Sequence, residues 1–409
     1  MFKLPSLLDR IVMIYGRIKG NARVLLLTEP LWSIPMPWLF YYLPLFLAHI
    51  GLSEVEIGYV IAFSSVLHVI CPPLSSFFAK RWGFKKAFIL LDAIGWIPWL
   101  VIWVLARSSI HAFIATSFMA FVAMAATLWE CLLMEGTDPD VRPTIYGSIQ
   151  MIYLIGNLLT PTAGYVIHVK GLGYGYKLLC LLAISSLSIM YLVRALYLKE
   201  PASVKEEPYF SYDMVLELLI KKKGLLVILS INALWSFQLT IMSTFLVLLL
   251  VDPRAFMLTE SEVAMVPFVS SLVQLLVVLL MVPRVTSHIQ TAVLSLSYMV
   301  STATLALIFF IPPRSLSLVL VFAFLDAIPS SLMWPLNRAI LFAFMGSLGP
   351  GSKTKIIALA NMLGSLASAI AGPIGGILFS MDPLLPFILI IGTRMTSGFM
   401  LMLSSRLLK

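Results

Sequence analysis

Apolar residues come in long runs along this chain, and polar residues gather in the short breaks between them. A helix needs about 20 apolar residues to cross a bilayer core. Twelve such runs are readable, at 24–48, 57–78, 87–106, 112–134, 144–168, 174–196, 224–250, 261–282, 290–311, 316–341, 355–380 and 383–405. The backbone has no water to bond inside a membrane, so each run is predicted to be a helix. The alternating pattern of a membrane barrel is absent. The first run follows a Lys/Arg-rich segment with no A-x-A-like cleavage site, and it is expected to be a retained first helix.

One polar break occurs twice. Residues 52–58, LSEVEIG, return as 258–264, LTESEVA, with Leu52, Glu54 and Glu56 matched by Leu258, Glu260 and Glu262. In the same register Ser64-Ser65 meets Ser270-Ser271. The chain therefore reads as two parallel halves, each with six spans. The expected organisation is an N-terminal six-helix bundle over 1–198, a linker over 199–223 and a C-terminal six-helix bundle over 224–409. The linker holds Lys205-Glu206-Glu207-Pro208 and Lys221-Lys222-Lys223, and its 211–220 part could form a surface helix. Every other loop is short, with no room for a soluble catalytic domain.

Composition agrees with an all-α integral membrane protein. Hydrophobic residues make up 60% and charged residues 11%, with a mean hydropathy of +0.99, against about 25% charged in a soluble domain. Lys and Arg favour cytoplasmic loops. With the N-terminus inside, 22 of the 28 fall on the cytoplasmic side and five outside: Arg107, Lys170, Lys177, Arg254 and Arg314. Arg394 lies within a span. Both termini are thus expected in the cytoplasm, in a multi-pass protein of the cell membrane. The net charge of +9 reflects this bias, with anionic lipid rather than nucleic acid as the neighbour. Cys71, Cys131 and Cys180 have no metal-ligand spacing and read as packed thiols. A phosphate-cradling loop, a His-Glu-x-x-His and an Asp-rich metal loop are all missing, so no cofactor, ATP drive or enzyme activity is expected.

Spans, linker and repeat together resemble the major facilitator superfamily. After span two that family shows a Gly-x-Leu-Ala-Asp-Arg-x-Gly-Arg-Lys-like loop. Here Ser76–Lys86 reads SFFAKRWGFKK, in which Ala79, Arg81, Gly83, Lys85 and Lys86 fit and Lys80 replaces the acid. After span four, Glu130, Glu135, Arg142 and Gly147 look like the family's acid–acid–Arg–Gly set. Gly156, Pro161 and Gly164 in span five, and Gly372, Pro373 and Gly376 in span eleven, resemble its Gly-x-x-Pro-x-x-Gly hinges. The resemblance implies a transporter that rocks about spans one, four, seven and ten. It also implies a conformational latch from Arg81, Gly83 and Lys85 to Glu135, with Asp92 and Glu130 pairing on the Arg81 or Lys85 side and Arg142 in the same set. The plainer reading of these cations is that they only set topology.

Charges inside spans are costly and point to function. Glu29 lies in span one beside Pro30, Pro35, Pro37 and Pro44, where prolines free carbonyls and bend the helix. It is a candidate proton carrier, or alternatively a local ion pair near the headgroups. Asp326 and Arg394 are each about eleven residues into their spans. They read either as a transport pair, with Asp326 carrying protons, or as a structural pair. Candidates to line a substrate cavity are Trp32, Tyr41, Trp129, Tyr153, Asn157, Asn232, Trp235, Gln238, Trp334, Asn337, Asn361 and Arg394. Interfacial belts and ordinary packing account for many such aromatics. A Trp-, Tyr- and Met-rich cavity suits an amphipathic substrate, and the chain has 21 Met that can repack around varied ligands.

The expected activity is alternating-access secondary transport, with proton-coupled efflux of an amphipathic small molecule. The alternatives are a facilitator or symporter for a small metabolite such as a sugar or organic acid, and a membrane-embedded enzyme or non-transporting sensor. The partners are the small-molecule substrate, lipid and protons, with the chain acting as a monomer.

Overall fold

The computed structural model describes residues 18–134, 137, 141–201, 223–286, 288–345 and 350–405. All regular structure among them is helical. Among the described residues eleven helices are long and apolar enough to cross a membrane, and a bent pair, taken as one span, makes a twelfth. Span one runs over Gly20–His49, span three over Phe84–Leu105, span four over Ser109–Met134 and span five to Lys170. Span six is Leu172–Tyr197, span seven Lys223–Val251, span eight Glu262–Leu280 and span nine Gln290–Phe310. Span ten is Leu316–Met345, span eleven Pro350–Met381 and span twelve Leu385–Leu403. Span two is the bent pair, Glu54–Ile70 and Pro72–Trp82, turning by 40° where Pro72 and Pro73 withdraw two backbone donors. The surface helix expected at 211–220 lies outside the described residues.

The repeated break has a physical meaning. Ser53 accepts from the Glu56 backbone N–H at 3.3 Å, while the Glu56 carboxylate accepts from the Ser53 N–H at 2.8 Å. Thr259 and Glu262 make the same two bonds at 3.3 and 2.8 Å. Both copies are capping boxes, each starting the second span of its half. Pro30, Pro35 and Pro161 occupy first turns, where a missing N–H costs nothing. Gly83, at φ 80°, and Gly171, at φ 73°, make the tight joins before spans three and six, where a side chain would be strained.

Residues 18–201 (the first half) and 223–405 (the second half) share a core at one end only. At the capping-box end one apolar cluster takes Tyr42, Phe46 and Trp103 from the first half and Phe245, Leu249 and Phe379 from the second. Toward the other end the core splits in two. One part, with Leu25, Phe88 and Leu132, belongs wholly to residues 18–198. The other, with Ile228, Tyr298 and Leu336, belongs wholly to residues 225–401.

Candidate functional site

Each half buries one arginine on its last span. Arg194 on span six is 3% exposed. Its Nη2 lies 3.2 Å from Glu29 Oε2 and its Nη1 3.7 Å from Asp92 Oδ2. Its Nε donates to Thr28 Oγ1 at 3.0 Å, and Ser33 donates to Glu29 at 3.4 Å. Glu29 sits at the helix break between Thr28 and Pro30, which turns its side chain into its own half. Glu29 is ion-paired, but to a buried arginine of span six rather than to a cation near it in sequence. Asp92 was expected on the Arg81 or Lys85 side. It lies about two turns deeper than Lys85 and meets Arg194 instead. Arg194 counted only as a cytoplasmic cation in the sequence. Its signal was an Arg inside an apolar run on the last span of its half, as with Arg394.

In the second half Arg394 Nη1 donates to Asp326 Oδ1 at 3.0 Å and to the Ser301 carbonyl at 3.1 Å. Asp326 also accepts from Ser301 Oγ at 2.7 Å, Thr304 Oγ1 at 3.0 Å and Ser330 Oγ at 3.1 Å. Here one acid faces one base, with only Arg394 Nε lacking a partner among the described residues, whereas two acids share one base around Arg194. Asp326→Ala leaves a buried guanidinium unpaired and is expected to cost about 3–5 kcal/mol. Replacing both members, as Asp326→Leu with Arg394→Met, is expected to cost much less. Thermal unfolding in detergent checks both, and an equal loss in the two variants would contradict the pairing.

The expected pairing of Glu130 with the Arg81 or Lys85 side is also replaced. Glu130 accepts from Tyr146 Oη at 2.9 Å, and both act electrostatically on Arg338 of span ten. Arg338 in turn donates to Asn361 at 3.0 Å. Four polar groups on spans four, five, ten and eleven thus face one another across the halves, at the end where the cores are separate. The acid that meets the start of span three is Glu200. It accepts from the backbone N–H groups of Phe84 and Lys85 and caps span three beside Gly83. The sequence signal for it was the first acid after span six, just before Pro201. Glu135 and the Arg142 side chain lie outside the described residues.

The expected cavity residues divide. Trp32 faces its own half, its ring 5.9 Å from Trp96. Trp129 packs against the first half's separate core, and Trp235 against the second's. Asn157 bonds within span five to the Tyr153 carbonyl at 3.3 Å. Asn232 donates to the Ala360 carbonyl at 3.0 Å and Gln238 to Ser397 at 3.4 Å, so both tie helices of one half together. Arg394 is consumed by Asp326. Asn337 is buried, with an amide oxygen lacking a partner among the described residues. Trp334 is 37% exposed and lies one turn before Arg338, on the same helix face. The groups brought to the seam are therefore Trp334, Arg338 and Asn361 opposite Glu130 and Tyr146.

The closed end is sealed by close approach. Tyr41 Oη donates to the Val263 carbonyl at 2.6 Å and Tyr42 Oη to the Glu260 carbonyl at 2.8 Å. Tyr41 is thus a seal, and Tyr42, its unselected neighbour, is another. Arg254 reaches Asp252 at 2.8 Å and Glu54, in the other half, at 3.4 Å. The Asp252 hydrogen bond raises its pKa above the ordinary arginine value. A Cβ on Gly372 would lie 2.4 Å from the Gly58 carbonyl oxygen, and one on Gly376 2.4 Å from the Glu54 carbonyl oxygen. Gly164 touches Ala264, and Gly156 lies against the Ser33 carbonyl, its own carbonyl accepting from Trp38 Nε1 at 2.9 Å. Pro161 follows a helix break at Leu159, whereas span eleven runs unbroken through Pro373. Close packing is common to both Gly–Pro segments, and a break occurs only in span five. Cys71 and Cys180 are buried, while Cys131 is exposed rather than packed.

No curated protein is similar enough in sequence to count as a relative. Solved structures are similar in fold. The nucleoside transporter NupG superposes with a TM-score of 0.69 at 15% identity, covering 96% of this chain and 99% of that one. The human organic anion transporter MFSD10 (TETRAN) gives 0.64 at 16% identity, covering 97% and 100%. A structure from the proton-dependent oligopeptide transporters gives 0.68 at 13% identity, covering 95% and 97%. At these identities the likeness concerns the fold alone. The sequence profile of the Major Facilitator Superfamily matches residues 32–372, most of the chain, and the chain belongs to that superfamily of membrane transporters.

Proposed function

We propose that this chain couples protons to the movement of an amphipathic small molecule by alternating access, in the export direction expected from the sequence. The observation that carries the reading is the unequal charge count of the two buried clusters. Glu29 and Asp92 face the single guanidinium of Arg194, so the cluster is neutral only when one carboxyl holds a proton. An uncompensated buried charge costs several kcal/mol, which makes proton loading and release an event the surrounding helices must answer. Asp326 and Arg394 balance without a proton, so Asp326 is assigned a structural role.

The proposed orientation puts both termini in the cytoplasm. The sealed capping-box end then faces outward, and the end with two separate cores faces the cytoplasm. Substrate would enter there and meet Arg338, Glu130, Tyr146, Asn361 and the exposed face of Trp334, a set with both charges and one aromatic surface. Glu130 and Arg338, on equivalent spans of the two halves, would draw that end shut as the outer seal opens. The structural neighbours carry nucleosides, organic anions and oligopeptides, which supports a small organic solute here.

The test is flux in proteoliposomes with a panel of lipophilic cations, nucleosides and sugars, with and without an imposed pH gradient. Gradient-driven accumulation of an amphipathic compound, with a raised KM in Arg338→Gln, is the expected result. Gradient-independent equilibration of a sugar would overturn the proton coupling and leave a facilitator. No flux of any solute would favour a sensor.

A further inference from the structure

A cavity lies away from the seam, within residues 46–177 of the chain. It has a volume of about 530 Å³ and opens at the ends of spans one, three and six. That size falls in the range of small-molecule sites, about 300–1,000 Å³. Its walls bring together three basic side chains from three separate elements: His49 at the end of span one, Arg107 after span three and Lys177 in the second turn of span six. No Asp or Glu lines it. Arg107 and Lys177 form no ion pair among the described residues, whereas Arg254 at the same end is held by two carboxylates.

The clustering runs against the charge bias of the chain. On the proposed orientation only five Lys and Arg lie on the outer side, and two of them line this one cavity. Topology disfavours cations on this face, so their convergence beside a histidine needs another cause. Phe46 and Gly173 border the exposed imidazole. Phe46 stacks on His49 at 6.5 Å and on Tyr176 at 4.3 Å. Gly173 leaves the room that the ring occupies, for a Cβ there would lie 2.4 Å from His49 Nε2. Tyr174, 62% exposed, stands at the rim.

We propose that this cavity binds an oxyanion, a phosphate or carboxylate group, between Arg107, Lys177 and His49. Arg107 and Lys177 are two cations with no counter-charge in the cavity, and an anion between them accepts charge-assisted hydrogen bonds from both and a further bond from the imidazole. The cavity sits where the spans end. Its anion can therefore be the phosphodiester of a neighbouring lipid or a soluble anion arriving from water, and the chemistry is the same for both.

The test uses the full chain in nanodiscs of phosphatidylcholine. One arm adds phosphatidylglycerol and reads retained lipid by native mass spectrometry. The other adds glycerol phosphate and reads binding by calorimetry. Arg107→Gln with Lys177→Gln removes the charge, and Gly173→Ala displaces His49 without changing charge. Lys170→Gln, a cation of the same end outside the cavity, is the control. The wild type is expected to bind at least one probe, with a loss of about tenfold in the double variant, a smaller loss in Gly173→Ala and no change in Lys170→Gln. Retention of phosphatidylglycerol alone assigns a lipid headgroup, and binding of glycerol phosphate as well assigns a free anion. Binding of neither probe by the wild type, or an equal loss in Lys170→Gln, would overturn the proposal.

Discussion

Glu29→Gln is expected to abolish accumulation of substrate driven by a pH gradient while leaving exchange of substrate for substrate intact. With one proton moved per substrate, each unit of pH gradient is worth about 1.4 kcal/mol, or about tenfold accumulation. The introduced amide keeps one acceptor oxygen, which can take the Arg194 bond at the loss of the longer Ser33 bond, and it has no proton to release. The variant should also fold, because Asp92 alone then balances Arg194 and the buried cluster stays neutral. Arg194→Met would instead leave two acids with no base, and its failure would say nothing about coupling. Comparing accumulation with exchange in the same vesicles separates the two effects. Wild-type accumulation in Glu29→Gln would remove Glu29 from the coupling path.

Gly58→Val is expected to open the sealed end. A Cβ on Gly58 would lie 2.3 Å from the Gly372 carbonyl oxygen and 2.7 Å from its carbonyl carbon. Both are backbone atoms of a continuous helix and cannot swing aside. Spans two and eleven must separate, which is also how small residues at membrane-helix contacts set helix distance. Overpacking costs about 1–3 kcal/mol, and only the state with this end closed bears it. The population should therefore shift by about 5- to 150-fold toward the state open at this end. Spin labels on Ala48 and Pro253, exposed residues of the two halves at this end, should report a longer distance in the variant, and transport should slow. An unchanged distance with normal transport would mean that the seal is not the moving contact.

The legible parts of the chain were those with a strong local signal. Span positions followed from apolar length, because lipid leaves the backbone one solution. The repeat at Leu52 and Leu258 was legible because a capping box needs fixed residues at fixed spacing. Asp326 with Arg394 was legible because two opposite charges at equal depth rarely stay apart. Partnerships between distant spans were not legible. Asp92 and Glu130 were placed with the nearest cations in sequence, Arg81 and Lys85, yet their neighbours are Arg194 and Arg338. Helix rotation decides which partner a side chain meets, and a lone chain of apolar residues carries little information on rotation. Gln238 and Asn232 show the same limit, since both turn into their own half rather than toward a cavity. The seal by Tyr41 and Tyr42 was hidden because its acceptors are backbone carbonyls, which any residue supplies.

The central claim is that the Glu29–Asp92–Arg194 cluster holds one exchangeable proton. Infrared difference spectroscopy of the reconstituted protein tests it most directly, through the C=O stretch of a protonated carboxyl. The account expects that band in the wild type at neutral pH, its shift or loss on substrate addition, and its absence in both Glu29→Gln and Asp92→Asn, where the remaining acid pairs as an ion with Arg194. A wild type without the band at neutral pH, or a band that survives both substitutions unchanged, would contradict it.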